Sequence, residues 1–272
     1  MVSPQKIKYN GVFSDTGFGD LDIILEVAFD SDDGAMSSYL NRSAVASESH
    51  DGRYKNTIRY KYDELFSPQF TIVKKNFSDF TKEEIRQVLK YLTSTDKPAL
   101  LEVYYDGASN IVDWAAIGGW ISIETYKLAN NRTVGIIATF EAITPYAMSD
   151  LYEKSINSRE TISINTDDNK PIYPCVTIKC NSETDVKITN VNTILNQLTV
   201  PNSTIVANNN STEIITLDGA NRVISSNSVS RIFGNDFNWQ WLELYDGTNE
   251  ITVEGNCEVT LKYRTVVKCG EY

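Results

Sequence analysis

Leu21-Asp22-Ile23-Ile24-Leu25-Glu26-Val27-Ala28-Phe29 is the stretch whose reading decides the fold class of this chain. Leu21, Ile23, Leu25, Val27 and Phe29 are all apolar, while Asp22 and Glu26 share the alternate positions with Ile24 and Ala28. Successive side chains of an extended strand point to opposite faces. A period of two therefore gives a strand with one wholly apolar face, to be buried against a core. Asp33-Gly34 follows as a turn. Residues Thr57 to Tyr62 alternate again, with Ile58, Tyr60 and Tyr62 opposed to Arg59 and Lys61, and Phe70 to Lys74 reads as a further short strand.

One helix interrupts this pattern. Thr81 and Glu84 have the spacing of a capping box, and Phe80 and Ile85 that of a hydrophobic staple. Ile85, Val88, Leu89 and Leu92 then recur at helical spacing and form one apolar stripe, until Lys97-Pro98 blocks further helix. Strands resume with Ala99 to Tyr105, the turn Asp106-Gly107, Ile111 to Ala116, Trp120 to Leu128 and Val134 to Ala142. Asn130-Asn131 is the expected hairpin turn between the last two, and Gly118-Gly119 a turn leading into a strand. The stretch from Pro145 to about Arg159 is polar without clean periodicity, which sets a domain boundary there: residues 1–147 and 148–272. Beyond it short strands are expected at Thr161 to Asn165, Cys175 to Cys180, Val186 to Asn190 and Ile214 to Leu217. Arg222 to Ile224, Trp241 to Tyr245, Ile251 to Val253 and Cys257 to Val267 follow. Turns fall at Asp218-Gly219, Asp246-Gly247 and Gly255-Asn256. Regular short strands between turn signals predict a β-sandwich or barrel. The fold class is mainly β: a β-rich first domain with one α-helix, and a second domain that is all β.

The composition excludes several functions. Of 272 residues, 41% are apolar and 11% aromatic, enough to build packed cores. A net charge of −11 leaves no basic stripe to displace counterions from phosphates, so nucleic acid is not an expected partner. No run of about 18 apolar residues could span a bilayer, and MVSPQKIKYNG has no signal-peptide pattern. The chain is expected to be made in the cytosol and to be soluble, and Asn76-Phe77-Ser78 is then a chance glycosylation triplet.

Catalytic chemistry finds little purchase. His50 is the single histidine and sits in the turn-like SESHDGRY, with no nucleophile motif around it. Asp30, Asp32 and Asp33 fail the calcium-loop pattern, which wants an acid or amide where Gly34 stands and Glu where Asn41 stands. Gly17-Phe18-Gly19 and Gly118-Gly119 match no phosphate cradle. Of the four cysteines, Cys175, Cys180, Cys257 and Cys269, the first two fall on opposite faces of one strand, and no zinc spacing is present, so all four read as structural thiols. Neither cofactor nor metal is expected. Trp239 and Trp241 would share a face if extended, as stacking platforms for sugars do, and with Tyr245 they are the candidate glycan-stacking residues; packing between sheets is the competing reading.

Taken together, these elements resemble the distal tail proteins of long-tailed phages, the siphophage tail-tip hub. The likeness begins at Tyr9-Asn10-Gly11, Ser14 and Gly17-Phe18-Gly19 and passes through His50-Asp51-Gly52-Arg53. It continues through the capped helix Thr81 to Leu92, with Tyr91-Leu92 at its end, then Lys97-Pro98 and Tyr105-Asp106-Gly107. Phe140 and Pro145-Tyr146 resemble the exit of the N-terminal domain. Leu217-Asp218 and Trp241 to Ile251, with Gly247 and Asn249, are similar to later strands, although the family's Phe-Pro before that stretch is missing.

The resemblance implies a ring-forming belt domain, 1–147, that closes into a hexamer, and a galectin-like C-terminal β-sandwich, 148–272, facing outward. It implies no catalysis. The implied role is a hub at the distal end of the virion's tail, made in the bacterial host cytoplasm. Such a hub joins the tail tube and the tape-measure protein to the tail fibre or tail-associated lysin and anchors receptor-binding proteins for host adhesion. The alternative is a carbohydrate-binding receptor-recognition tail protein that uses Trp239, Trp241 and Tyr245 of the C-terminal sandwich. A third possibility, a β-rich hydrolase, would need two carboxylates converging in a cleft.

Overall fold

A computed structural model describes residues 3–19, 21–28, 42–48, 55–62, 65–108, 110–128, 132–168, 171–183, 185–192, 202–206 and 212–267. Phe29, the acidic run Asp30 to Asp33, Gly34, Asn41, His50 to Arg53, Asn130-Asn131 and Cys269 lie outside the described residues. The chain forms two compact units: unit 1 is Met1–Asp150 with Val266–Tyr272, and unit 2 is Leu151–Thr265. Both are antiparallel β structures, so the chain is mainly β, as the alternating pattern predicts.

Unit 1 opens with β1 (Lys6–Tyr9), β2 (Val12–Phe13) and the short helix α1 (Ser14–Gly17). The chain continues through β3 (Ile23–Ala28), β4 (Arg42–Glu48), β5 (Lys55–Tyr62) and β6 (Gln69–Lys74). After α2 (Lys82–Leu92) come β7 (Ala99–Tyr104), β8 (Trp114–Leu128), β9 (Arg132–Ala142) and β10 (Ala147–Met148). The main sheet runs β2-β1-β7-β8-β9-β6-β3, and β4 pairs with β5 in a separate ribbon. The strand that decides the fold class, β3, is an edge strand. Its Leu25 and Val27 are buried in the core with Ile23 and Leu21 packed beside them, which is the face that the period of two selects.

Helix α2 has both halves of its capping box: the Glu84 N–H donates to Thr81 Oγ1 at 3.3 Å and the Thr81 N–H to Glu84 Oε2 at 2.6 Å. It buries Val88, Tyr91 and Leu92. Tyr91 also ties the helix to the N-terminal segment, accepting from the Tyr9 N–H at 3.1 Å and donating to Val12 O at 3.0 Å. Burial is the main reason that its phenol is held well above the usual tyrosine value. The ring fills the space over Gly17, where an added Cβ would meet it at 2.0 Å. Gly17 is thus required by close packing rather than by a phosphate.

Several details depart from the expectation. Gly118-Gly119 is no turn: β8 runs unbroken from Trp114 to Leu128, and Gly118 lies where a Cβ would come within 2.0 Å of Glu141 O on β9. The irregularities fall later, as register shifts between Trp120 and Ser122 and between Tyr126 and Lys127. The second departure is the polar stretch after Pro145, which forms β10 and, in unit 2, β11 (Tyr152–Asn157). Five of the six residues of β11 are exposed, because it is an edge strand with little to bury.

Unit 2 continues with β12 (Thr161–Thr166), β13 (Cys175–Cys180), β14 (Val186–Asn192), β15 (Asn202–Val206) and β16 (Ile214–Asp218). It is completed by β17 (Val223–Ser226), β18 (Gly247–Glu254) and β19 (Cys257–Tyr263). One sheet runs β11-β19-β13-β16-β17 and the other β12-β18-β14-β15. Alternate residues of both sheets, among them Ile178, Leu217 and Val259 from the first and Ile188, Ile251 and Val253 from the second, form one aliphatic core, which makes the unit a β-sandwich. The chain then leaves the sandwich: β20 (Val266–Val267) pairs with β10 in unit 1, so Cys257 to Val267 is not one strand.

Trp241 to Tyr245 is not a strand either. Only Leu244 bridges, to Ile172. Buried amides hold this segment instead. Asn249 is fully buried; its Oδ1 accepts from the Tyr245 N–H at 2.8 Å and from Asn190 Nδ2 at 2.8 Å, and its Nδ2 donates to Tyr245 O at 2.7 Å. Thr166 Oγ1 donates to that same carbonyl at 2.6 Å. These bonds satisfy backbone groups that no ladder reaches.

Candidate interaction surfaces

The three candidate glycan-stacking residues do not form one platform. Trp239 has φ 56°, so the segment is not extended there, and the face-sharing expected of Trp239 and Trp241 is lost. Trp241 turns into the core and packs edge-on against Phe237, ring centroids 5.2 Å apart. Trp239 is 59% exposed, with its Nε1 donating to Gly234 O at 3.1 Å and its ring 5.3 Å from that of Phe237. Tyr245 is half-buried and donates its hydroxyl to Glu243 Oε2 at 2.5 Å.

The loop that carries Trp239 also exposes Val229 and Ile232. It is pinned from below by charge: Arg231 Nε donates to Glu213 Oε1 at 3.0 Å, and the other end of its guanidinium to Asp236 Oδ2 at 2.6 Å. The Arg231 and Glu213 side chains are nearly buried, and Ser226 Oγ donates to the same Glu213 oxygen at 2.7 Å. A buried ion pair of this kind holds geometry at the expense of desolvation.

A polar cleft of about 370 Å³ opens between the edge strands β11 and β12. Tyr152 and Tyr263, directly opposite each other across β11 and β19, form one wall with ring centroids 5.4 Å apart. Lys154, Asn165 and Asp167 contribute polar groups. Burial raises the Tyr263 phenol above its usual value, with Tyr152 adding to the effect. Sequence reasoning missed this cleft because it treated the Tyr152 strand as an aperiodic boundary. The local signal was the aromatic next to a Glu-Lys pair, which β19 answers with Lys262 and Tyr263.

Unit 1 offers surface of a different kind. The far half of β8 leaves the core, and Ile121, Tyr126 and Leu128 are exposed along it. Its sheet ends in two edge strands, β2 and β3. Edges and exposed apolar residues of this sort suit strand pairing and packing with other chains. Among the described residues no group of three or more His, Cys, Asp or Glu is placed to hold a metal ion, and no helix is long and apolar enough to cross a membrane. Glu84 is drawn below its ordinary value: burial alone would raise it, but hydrogen bonds and charge from Lys74 and the Thr81 cap outweigh that. That shift serves the helix cap and is opposite in sign to the one that poises a carboxylic acid for proton donation.

Among solved structures, the chain is similar to the SPP1 Dit protein, described as a paradigm of the hub adsorption apparatus in phages that infect Gram-positive hosts. The TM-score is 0.64 at 9% identity, covering 95% of this chain and 98% of that one. It is also similar to chains of the phage P2 baseplate in its activated conformation, with Ca (TM-score 0.52) and with Sr (TM-score 0.54). Both are 12% identical and cover 98% of this chain and 99% of those chains. At such identities the likeness concerns the fold. No curated protein matches the sequence. Two family descriptions do: a phage tail protein N-terminal domain over residues 6–144 and a phage tail C-terminal domain over residues 146–263. With both matches in this order along nearly its whole length, the chain belongs to the family of phage tail proteins that these two domains define.

Proposed function

We propose that this phage tail protein is a non-enzymatic structural hub at the distal end of the tail. In this reading unit 1 is a belt that closes with five copies of itself into a hexameric ring, and unit 2 is a galectin-like sandwich that faces outward. The hub joins the tail tube and the tape-measure protein to the tail fibre or tail-associated lysin, and anchors receptor-binding proteins for host adhesion. The observation that carries the reading is the fold likeness to the SPP1 Dit hub protein over almost all of both chains. The exposed β8 residues and the edge strands of unit 1 supply surface for contacts between copies. A closed ring satisfies such head-to-tail contacts without growing into a filament.

The test is the solution mass of the purified chain by light scattering, with negative-stain images. Six-fold rings, single or stacked back to back, are the expected result. A monodisperse monomer that stays monomeric at high concentration and with the tail-tube protein added sinks the ring. The alternative reading, a carbohydrate-binding receptor-recognition protein, draws support from the exposure of Trp239 alone of the three aromatic candidates. Glycan binding abolished by Trp239→Ala would favour it over the hub.

A further inference from the structure

Cys180 is the last residue of β13 and Cys257 the first of β19, and the antiparallel register sets them directly opposite each other. The Cys180 N–H is turned away from β19 and donates to Glu213 O at 2.9 Å. The next pair along the ladder is closed by the Asn181 N–H donating to Asn256 O at 2.9 Å. Cys180 and Cys257 are therefore a non-hydrogen-bonded pair, the closer of the two antiparallel spacings, about 4.5 Å between Cα atoms. That falls inside the range of about 4.4–6.8 Å that a disulfide spans. Facing residues share a side of the sheet. Here that side is the core, where Cys180 is 3% and Cys257 2% exposed, and both are free thiols.

We propose that Cys180 and Cys257 are an intramolecular disulfide site, reduced where the chain is made and closed on exposure to hydrogen peroxide or a comparable peroxide outside the reducing cytosol. The site follows from register and burial and does not depend on the hub reading. The chemistry balances with one peroxide. One sulfur, as thiolate, attacks a peroxide oxygen; an S–O bond forms, the O–O bond breaks, and water leaves behind a sulfenic acid. The facing sulfur then attacks that sulfur; the S–S bond forms, the S–O bond breaks, and a second water carries off the remaining proton. Two thiols have lost two electrons and two protons, and one peroxide has become two waters.

Burial pushes both thiols up to about 11; at Cys180 the Cys257 sulfur and the Glu213 carboxylate add to this, and Arg231 opposes it. Protonated thiols are poor nucleophiles, so the pair persists reduced in the closed sandwich. Its place at the ends of two strands, where fraying begins, gives the oxidant its entry.

The test uses the full chain with Cys175→Ser and Cys269→Ser, which leaves Cys180 and Cys257 as its thiols. After native peroxide treatment the protein is unfolded, alkylated, weighed and digested without reductant. The expected result is a monomer that has lost both alkylation sites, yields one peptide linking residues 180 and 257, and regains both sites on reduction. Two thiols that remain alkylatable, two separately over-oxidised cysteines, or a cross-link between copies would overturn the proposal. Should that variant not fold, peptide mapping of the unaltered chain gives the same reading, and a bond that engages Cys175 or Cys269 instead overturns it.

Discussion

The two units bury different things. In unit 1 a cluster of rings sits within the aliphatic core: Tyr9, Phe18, Phe70, Trp114 and Phe140 are buried, and Trp120 stands edge-on to Tyr9, Phe70 and Phe140 at 5.3–5.9 Å. In unit 2 the core between the sheets is mainly branched aliphatic, and the buried polar groups are numerous, among them Asn190, Asn192, Glu213 and Asn249. Unit 1 has one large sheet and a capped helix, so its backbone finds partners in ladders. In unit 2 the described segment between β17 and β18 is irregular; side-chain amides bond part of its backbone, and the Arg231 guanidinium pairs with two carboxylates. Unit 1 is therefore sensitive to lost volume, whereas unit 2 is sensitive to lost partners, because a buried polar group left alone costs its full desolvation.

Substitutions can break this contrast. Trp114→Ala should have the largest effect, about 4 kcal/mol, by opening a cavity among Phe66 and Phe70 and removing the bond from its Nε1 to the Tyr105 hydroxyl. Calorimetry should show it lowering one transition and sparing a second. A uniform shift of a single transition would mean that the units do not unfold separately.

Arg231→Met should cost about 3 kcal/mol by stranding the Glu213 carboxylate in the core, and most of that should return when Glu213→Leu is added. Denaturant titration of the single and double variants reads this directly. A double variant no better than the single would show that packing, not charge, is what Arg231 supplies.

The smallest effect tests the helix cap. Because the folded Glu84 value lies below its ordinary 4.5, Glu84 adds stability that is present above that pH and is lost as pH falls through the folded value. Lys74 Nζ lies 2.6 Å from Glu84 Oε1, so Lys74→Met should flatten the loss of stability between about pH 6 and pH 3. An unchanged acid limb would assign the shift to the Thr81 cap alone.

Much of the fold was legible because its signals are local. The alternation from Leu21 onward fixed which side of β3 is buried, and the Thr81–Glu84 spacing fixed where α2 begins, since both depend on residues within a turn or two of each other. β11 was missed because an edge strand need not carry an apolar face. Gly118 was misread because its neighbour Glu141 lies on another strand. Within the aromatic segment Trp239 to Tyr245, the sequence did not show which way each side chain points.

What the sequence determined by itself was the mainly β character and the helix with its cap. What only the tertiary structure decided was partnership: that Trp241 is core and Trp239 surface, that Asn249 bonds the Tyr245 backbone, and that Cys180 faces Cys257. Local patterns record a residue's preference for inside or outside. Register between strands distant in the chain is set by the packing of the whole sheet, and no short window of sequence contains it.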